Sequence, residues 1–232
     1  MRKILILGGN SDIGEALVEK IYKDYNISIS VHYNKKIINK KDNVKYIKFD
    51  FKKASNTSIK KKFDDNYDVI VNLVGYLSSQ KFLNFNIEEV NKTIKINSLV
   101  PFLIIQNSIK HMEKKKYGRI INTSSVGVKF GGGENTFAYS LSKHINEFIP
   151  SYIKKLCSKN INYNILRIGV TKTKFHKRIK NKSLNKRIKL IPSKKIASVN
   201  EISEYIHYII KSNFTLCWRW YFNMQSKFFN SR

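Results

Sequence analysis

The feature that most limits what this chain can fold into is a regular alternation of short aliphatic runs with amphipathic segments, beginning at its first residues. Residues 3–7 (Lys-Ile-Leu-Ile-Leu) are too few for a stable helix and stop at Gly8-Gly9, so they predict a buried strand. Residues 13–24 follow with Ile13, Leu17, Val18 and Ile21 on one helical face, behind Ser11 and Asp12, both good N-cap types. The same reading predicts strands at 27–32, 44–49, 68–74, 118–124 and 161–168. It predicts long helices at 87–112, kinked or broken by Pro101, and at 139–156, with Pro150 inside, and a last helix at 201–211. Strands separated by helices argue for the α/β class: one open parallel sheet with helices on both faces.

Composition narrows the function more cautiously. The 44 Lys+Arg against 16 Asp+Glu give a formal charge of +28, yet 37 of those cations are Lys and only 7 are Arg. With 33 Ile, 25 Asn and 4 Ala, this is the signature of A/T-rich codons, and we take that as the main cause. A polyanionic partner is the second reading, but nucleic-acid contacts favour Arg forks, so nucleic acid is a minor alternative. The 27 Phe and Tyr argue for a real core. Two cysteines far apart imply neither a disulfide framework nor a metal site, so no metal is expected and a cytoplasmic location fits. No apolar run approaches the roughly 18 residues of a membrane span, and the apolar start is too short for a signal peptide.

Two motifs carry chemistry. Gly8-Gly9-Asn10-Ser11-Asp12-Ile13-Gly14 lies between a strand and a helix. There glycines let the backbone approach a pyrophosphate, and the helix N-terminus offers N–H donors. A Gly-rich turn of this kind is also made for its tightness alone. Tyr139 and Lys143 stand at i and i+4, on one helix face, where an ammonium lowers a phenol pKa and the two make an acid/base unit. A plain surface pair would show the same spacing.

Taken together, Gly8, Asn72-Leu-Val-Gly75, Asn97, Thr123-Ser124-Ser125-Val126 and Tyr139-x-x-x-Lys143, in this order and spacing, resemble the short-chain dehydrogenase/reductase family, over about residues 3–211. The likeness is to its short single-domain members, nearest in kind to the 3-oxoacyl carrier-protein reductases. It implies a single-domain Rossmann-type doubly wound fold. Against the family pattern T-G-x-x-x-G-x-G, Gly8, Asp12 and Gly14 take the glycine positions and Leu7 the Thr. Asp12 is a departure, readable as a helix cap. Asn72 and Gly75 keep the ends of N-N-A-G. Gly169 and Thr173 match P-G-x-x-x-T, with Ile168 for the Pro.

The resemblance implies roles. Tyr139 protonates a carbonyl oxygen as hydride arrives, Lys143 lowers the Tyr139 pKa and binds the nicotinamide ribose, Ser125 holds the substrate carbonyl, and Asn97 keeps the fourth helix open around a proton-feeding water. Ser124 is the alternative serine; Ser125 is preferred because it precedes Val126-Gly127. The expected cofactor contacts are Gly8, Asn10, Ser11, Asp12, Ile13, Gly14, Asn34, Lys35, Lys36, Asp50, Asn72, Gly75, Tyr139, Lys143, Gly169, Thr171 and Thr173. No acid follows the second strand to take ribose hydroxyls, and Lys35 or Lys36 can meet a 2′-phosphate, so NADP(H) is favoured over NAD(H).

The expected activity is NADP(H)-dependent reduction of a ketone, a 3-oxoacyl thioester or related carbonyl. Alternatives are a reductase or dehydrogenase for a sugar or nucleotide-sugar of surface polysaccharide, or a non-catalytic dinucleotide-binding protein. The window 148–200 holds 15 Lys+Arg and no acid. That suits a small or carrier-bound anionic substrate, or simply a solvated loop in a Lys-rich chain. The domain is expected over 1–213, with its substrate loop near 171–200. Residues 214–232 form an atypical tail with both Trp and no Gly. An edge strand near 216–222 is expected there, with a homo-oligomer, a dimer or a weakened tetramer.

Overall fold

The computed structural model describes residues 1–24, 26–36, 39–64, 66–175, 184–212 and 222–223. Six parallel strands form the sheet: β1 (Arg2–Leu7), β2 (Ile27–Tyr33), β3 (Val44–Lys48), β4 (Val69–Asn72), β5 (Gly118–Ser125) and β6 (Ile161–Ile168). A two-residue β7 (Phe222–Asn223) pairs with Leu166 and Arg167 of β6. The order is β3-β2-β1-β4-β5-β6-β7, the doubly wound arrangement, with its reversal between β1 and β4. Ligands of such sheets bind beyond the strand C-termini at that reversal, which here is where Gly8, Leu73 and Val74 come together.

Each face of the sheet carries its own core. On one side α1 (Asp12–Ile21) and α8 (Val199–Lys211) pack Leu17, Val18, Ile21, Ile202, Ile206 and Ile210 onto Ile4, Ile6, Val69, Val71 and Ile121. On the other, α2 (Asn56–Lys62), α4 (Val100–Lys115) and α6 (Ser151–Lys155) set Ile59, Ile104, Ile105, Ile109, Met112 and Ile153 against Leu5, Leu7, Ile70 and Ile120. Alternate residues of one strand therefore serve opposite cores, which is why the strands read as unbroken aliphatic runs.

The two prolines act differently: the helical run continues through Pro101 by way of a π turn, and it stops before Pro150. The expected helix at 87–112 is α3 (Ile87–Ile94), a π-helical turn over Lys95–Leu99, and α4, with Pro101 in its first turn. Pro101 has no N–H to offer the Asn97 carbonyl four residues back, and Asn146 Nδ2 donates to that carbonyl instead, at 3.2 Å. The expected helix at 139–156 is two: α5 (Phe137–Ile145) ends before Pro150, which becomes the N-cap residue of α6. The short α2 and α7 (Leu184–Leu190) had no sequence expectation. Of the expected edge strand, residues 216–221 lie outside the described residues, and the pairing with β6 falls on Phe222 and Asn223. Cys157 lies before β6, and Cys217 lies outside the described residues. Among the described residues no helix is long and apolar enough to cross a membrane.

Candidate active site

The site grows from the turn after β1. Gly8 has φ +72°, a left-handed conformation, and a Cβ there would lie 3.1 Å from the Leu73 backbone. A Cβ on Gly14 would come within 2.6 Å of Gly9 Cα, so the helix start can close on the turn only with glycine. Ser11 is the N-cap of α1, its Oγ accepting from Gly14 N–H at 3.2 Å. Asp12 is therefore not the cap; it opens the helix, and its carboxylate accepts the Lys174 N–H at 2.6 Å.

His32, at the end of β2, holds the turn from below, and its role was not read from the sequence. Its Nδ1 accepts from Gly8 N–H at 3.2 Å, and Nε2 donates to the Phe49 carbonyl at 3.0 Å. The ring stacks on Phe51 at 4.1 Å between centroids. Burial pushes its pKa down to about 4, so the ring is neutral at pH 7, as the acceptor role of Nδ1 requires.

From this turn a cavity of about 1270 Å³ runs to Tyr139. It is lined at one end by Gly8, Asn10, Ser11, Asp12, Ile13, Asn34, Lys35 and Asp50, and further on by Gly75, Ser125, Tyr139, Lys143, Gly169, Thr171 and Thr173. Gly14, Lys36, Asn72 and Asn97 are not in its wall. Lys36 contributes its carbonyl to Asn10 Nδ2. Asn72 is fully buried: its Oδ1 accepts from Val74 N–H at 3.1 Å and its Nδ2 donates to Asn122 at 2.7 Å, which shapes the strand end that the cavity uses. Asp50 spends a carboxylate oxygen on the Lys52 N–H.

The reacting end is built on β5 and α5. Ser124 is buried, its Oγ donating to the Glu147 carboxylate at 2.7 Å, and Glu147 holds Arg167 by two short bonds. Ser125, one residue on, accepts the Gly127 N–H at 3.1 Å, which leaves its own proton to donate. Lys143 is 2 % exposed, and its Nζ donates to the Val74 carbonyl at 2.9 Å and the Thr123 carbonyl at 3.0 Å. Asn97 lies in the π-helical turn. Its Oδ1 accepts from Tyr76 N–H at 2.7 Å, and its Nδ2 donates to the Tyr76 carbonyl and Ser142 Oγ, each at 2.9 Å. It thus ties the segment after β4 to α5.

One electrostatic expectation is reversed. The Tyr139 phenol is pushed above its ordinary value, not below it, because burial penalises the phenolate. Lys143 Nζ sits 5.9 Å from the Tyr139 ring centroid with its hydrogen bonds committed to carbonyls, and burial brings its own pKa down to about 7. Tyr139 at neutral pH therefore carries its proton, the form a general acid needs.

The residues fit a nicotinamide dinucleotide. The glycine cradle has no room for a Cβ, a helix N-terminus faces the cavity, and the cavity continues to a half-buried Tyr139 over a buried Lys143. A site of this form on a doubly wound sheet defines a dinucleotide-dependent oxidoreductase. The family model for short chain dehydrogenases matches residues 2–184, and the chain belongs to that family of NAD(P)-dependent enzymes. Among its relatives are 3-oxoacyl-[acyl-carrier-protein] reductases. That of Buchnera aphidicola subsp. Baizongia pistaciae is 26% identical over 221 residues, 90% of this chain and 89% of that one. That of Aquifex aeolicus is 28% identical over 219 residues, 88% of each chain. A short chain dehydrogenase family protein from Francisella tularensis shares the fold with a TM-score of 0.78 at 22% identity, over 92% of both chains.

Proposed function

We propose that the protein reduces a ketone, a 3-oxoacyl thioester or related carbonyl, to the alcohol with NADPH, and that Tyr139 gives the proton to the carbonyl oxygen. The observation that carries this is the meeting of Tyr139, Ser125 and the glycine turn in one cavity, over a buried Lys143. The dinucleotide supplies hydride when bound. Ser125, with one of its lone pairs taken by Gly127 N–H and its proton left to give, donates to the substrate oxygen and favours the charge that develops there. Tyr139, protonated at pH 7, completes the alcohol. Lys143 binds the nicotinamide ribose and restores the proton to Tyr139. Asn97 positions α5 through Ser142, which lies between Tyr139 and Lys143 on the helix path.

The preference for NADPH is supported by Lys35 in the cavity wall and by Tyr33-Asn34-Lys35 carrying no acid at the end of β2. The names of the relatives in Buchnera and Aquifex support a carrier-bound substrate, and the acid-free window 148–200 supports an anionic one. A cytoplasmic homo-oligomer is part of the same reading.

NADPH oxidation against 3-oxoacyl thioesters tests it, with Tyr139→Phe as control. The variant keeps the ring and loses the acid. It is expected to hold NADPH as the parent does and to turn over at less than about a tenth of the rate, a cost above ~1.4 kcal/mol. A variant retaining more activity removes Tyr139 as the acid.

A further inference from the structure

We propose that Asp12 is a positioning residue for the substrate side of the cleft: its carboxylate docks segment 171–175 onto the first turn of α1 and thereby sets Phe175 against Tyr139. The aspartate stands where the family pattern has a glycine, and the helix does not need it, since Ser11 already caps α1. Its contacts lie 162 residues away in sequence. Oδ2 accepts the Lys174 backbone N–H at 2.6 Å, and Oδ1 faces Lys174 Nζ at 3.3 Å.

The next residue reaches the reacting end. The Phe175 ring lies 5.3 Å from that of Tyr139, tilted by 45°, and its Cε2 is 3.5 Å from where a Cβ on Gly75 would stand. Upstream, the segment is pinned by the parallel bridge of Thr171 to Ala197 and by Thr171 Oγ1 donating to the Gly169 carbonyl at 3.1 Å. One end is thus held by its own strand exit and the other by Asp12, with the aromatic wall of the proton donor beside the second anchor. An N–H bond to a carboxylate is about twice as strong as a neutral one. An ion pair with a lysine 68 % exposed adds little. The backbone contact therefore does the docking, and the lysine head is dispensable.

The inference rests on Tyr139 as the acid, but docking is readable without turnover. Amide hydrogen exchange of peptides covering 171–175 is compared in the parent, Asp12→Ala, Asp12→Asn and Lys174→Ala. Asp12→Ala is expected to speed exchange there by about tenfold or more, Asp12→Asn by a smaller factor since its amide oxygen still accepts, and Lys174→Ala by less than about twofold. In the steady state Asp12→Ala should raise KM for the carbonyl about fivefold. Unchanged exchange in Asp12→Ala overturns the proposal, as does Lys174→Ala exchanging as fast as Asp12→Ala. Should Asp12→Ala not fold, Asp12→Asn decides: no acceleration at all sinks it. A parent protein that never oxidises NADPH removes the reduction reading and leaves the exchange result standing.

Discussion

At the scale of single residues, His32 makes the glycine turn depend on pH. The unfolded chain takes up a proton on this ring near 6.5, while the folded one does so only near 4, because burial opposes the charge. The stability it contributes is fully present above pH 6.5 and is lost as pH falls toward 4, on the order of ~3 kcal/mol. His32→Phe keeps the stack on Phe51 and cannot be protonated, so its melting temperature should fall less steeply than the parent's between pH 6.5 and 4.5. Equal slopes would remove His32 as the cause. Lys35 supports a second prediction. Because Lys35 lines the cavity and Lys36 does not, Lys35→Ala should narrow the gap between NADPH and NADH dissociation constants more than Lys36→Ala does. Titration by cofactor fluorescence decides it, and equal constants in the parent would refute the NADPH preference.

At the scale of elements, the π-helical turn between α3 and α4 is where packing and site meet. A fully buried Asn97 bonds both backbone groups of Tyr76 and the Ser142 hydroxyl, and the proline that follows frees its carbonyl for Asn146. Asn97→Ala strips three hydrogen bonds and leaves the Tyr76 N–H without its partner. That should cost about 2 kcal/mol, seen as a lower urea midpoint with unchanged slope. A midpoint equal to the parent's would mean that the turn holds itself.

At the scale of the whole molecule, the +28 charge sets how copies meet. Like-charged surfaces repel over a Debye length of about 10 Å at 0.1 M salt, so association should strengthen as salt rises. With a tail that carries both Trp and no Gly, we expect light scattering to report less than a tetramer at micromolar concentration and low salt, and a larger mass at high salt. A monodisperse tetramer at low salt would show that neither the charge nor the tail weakens assembly.

Local pattern made much of this protein legible. The aliphatic runs, the glycine turn and the Tyr139/Lys143 spacing depend on neighbours a few residues apart, so the order of strands and helices, the doubly wound class and the family could be read in the sequence. Pro101 and Pro150 could be read as interruptions, but whether each would kink or end its helix depended on what receives the freed carbonyls, and Asn146 supplies that only in the folded chain. The same holds for Ser124 and Ser125, adjacent in sequence and both in the cavity wall: Glu147 takes the hydroxyl proton of the first, and the second only accepts, from Gly127 N–H. His32 beneath Gly8, Asp12 holding Lys174, and Asn72 turned inward are pairings across the fold. The sign of the Tyr139 shift belongs with them. Spacing placed a cation one helical turn away, but the free energy of ionising a phenol is set by how much water the whole surrounding structure removes, and only the tertiary packing decides that.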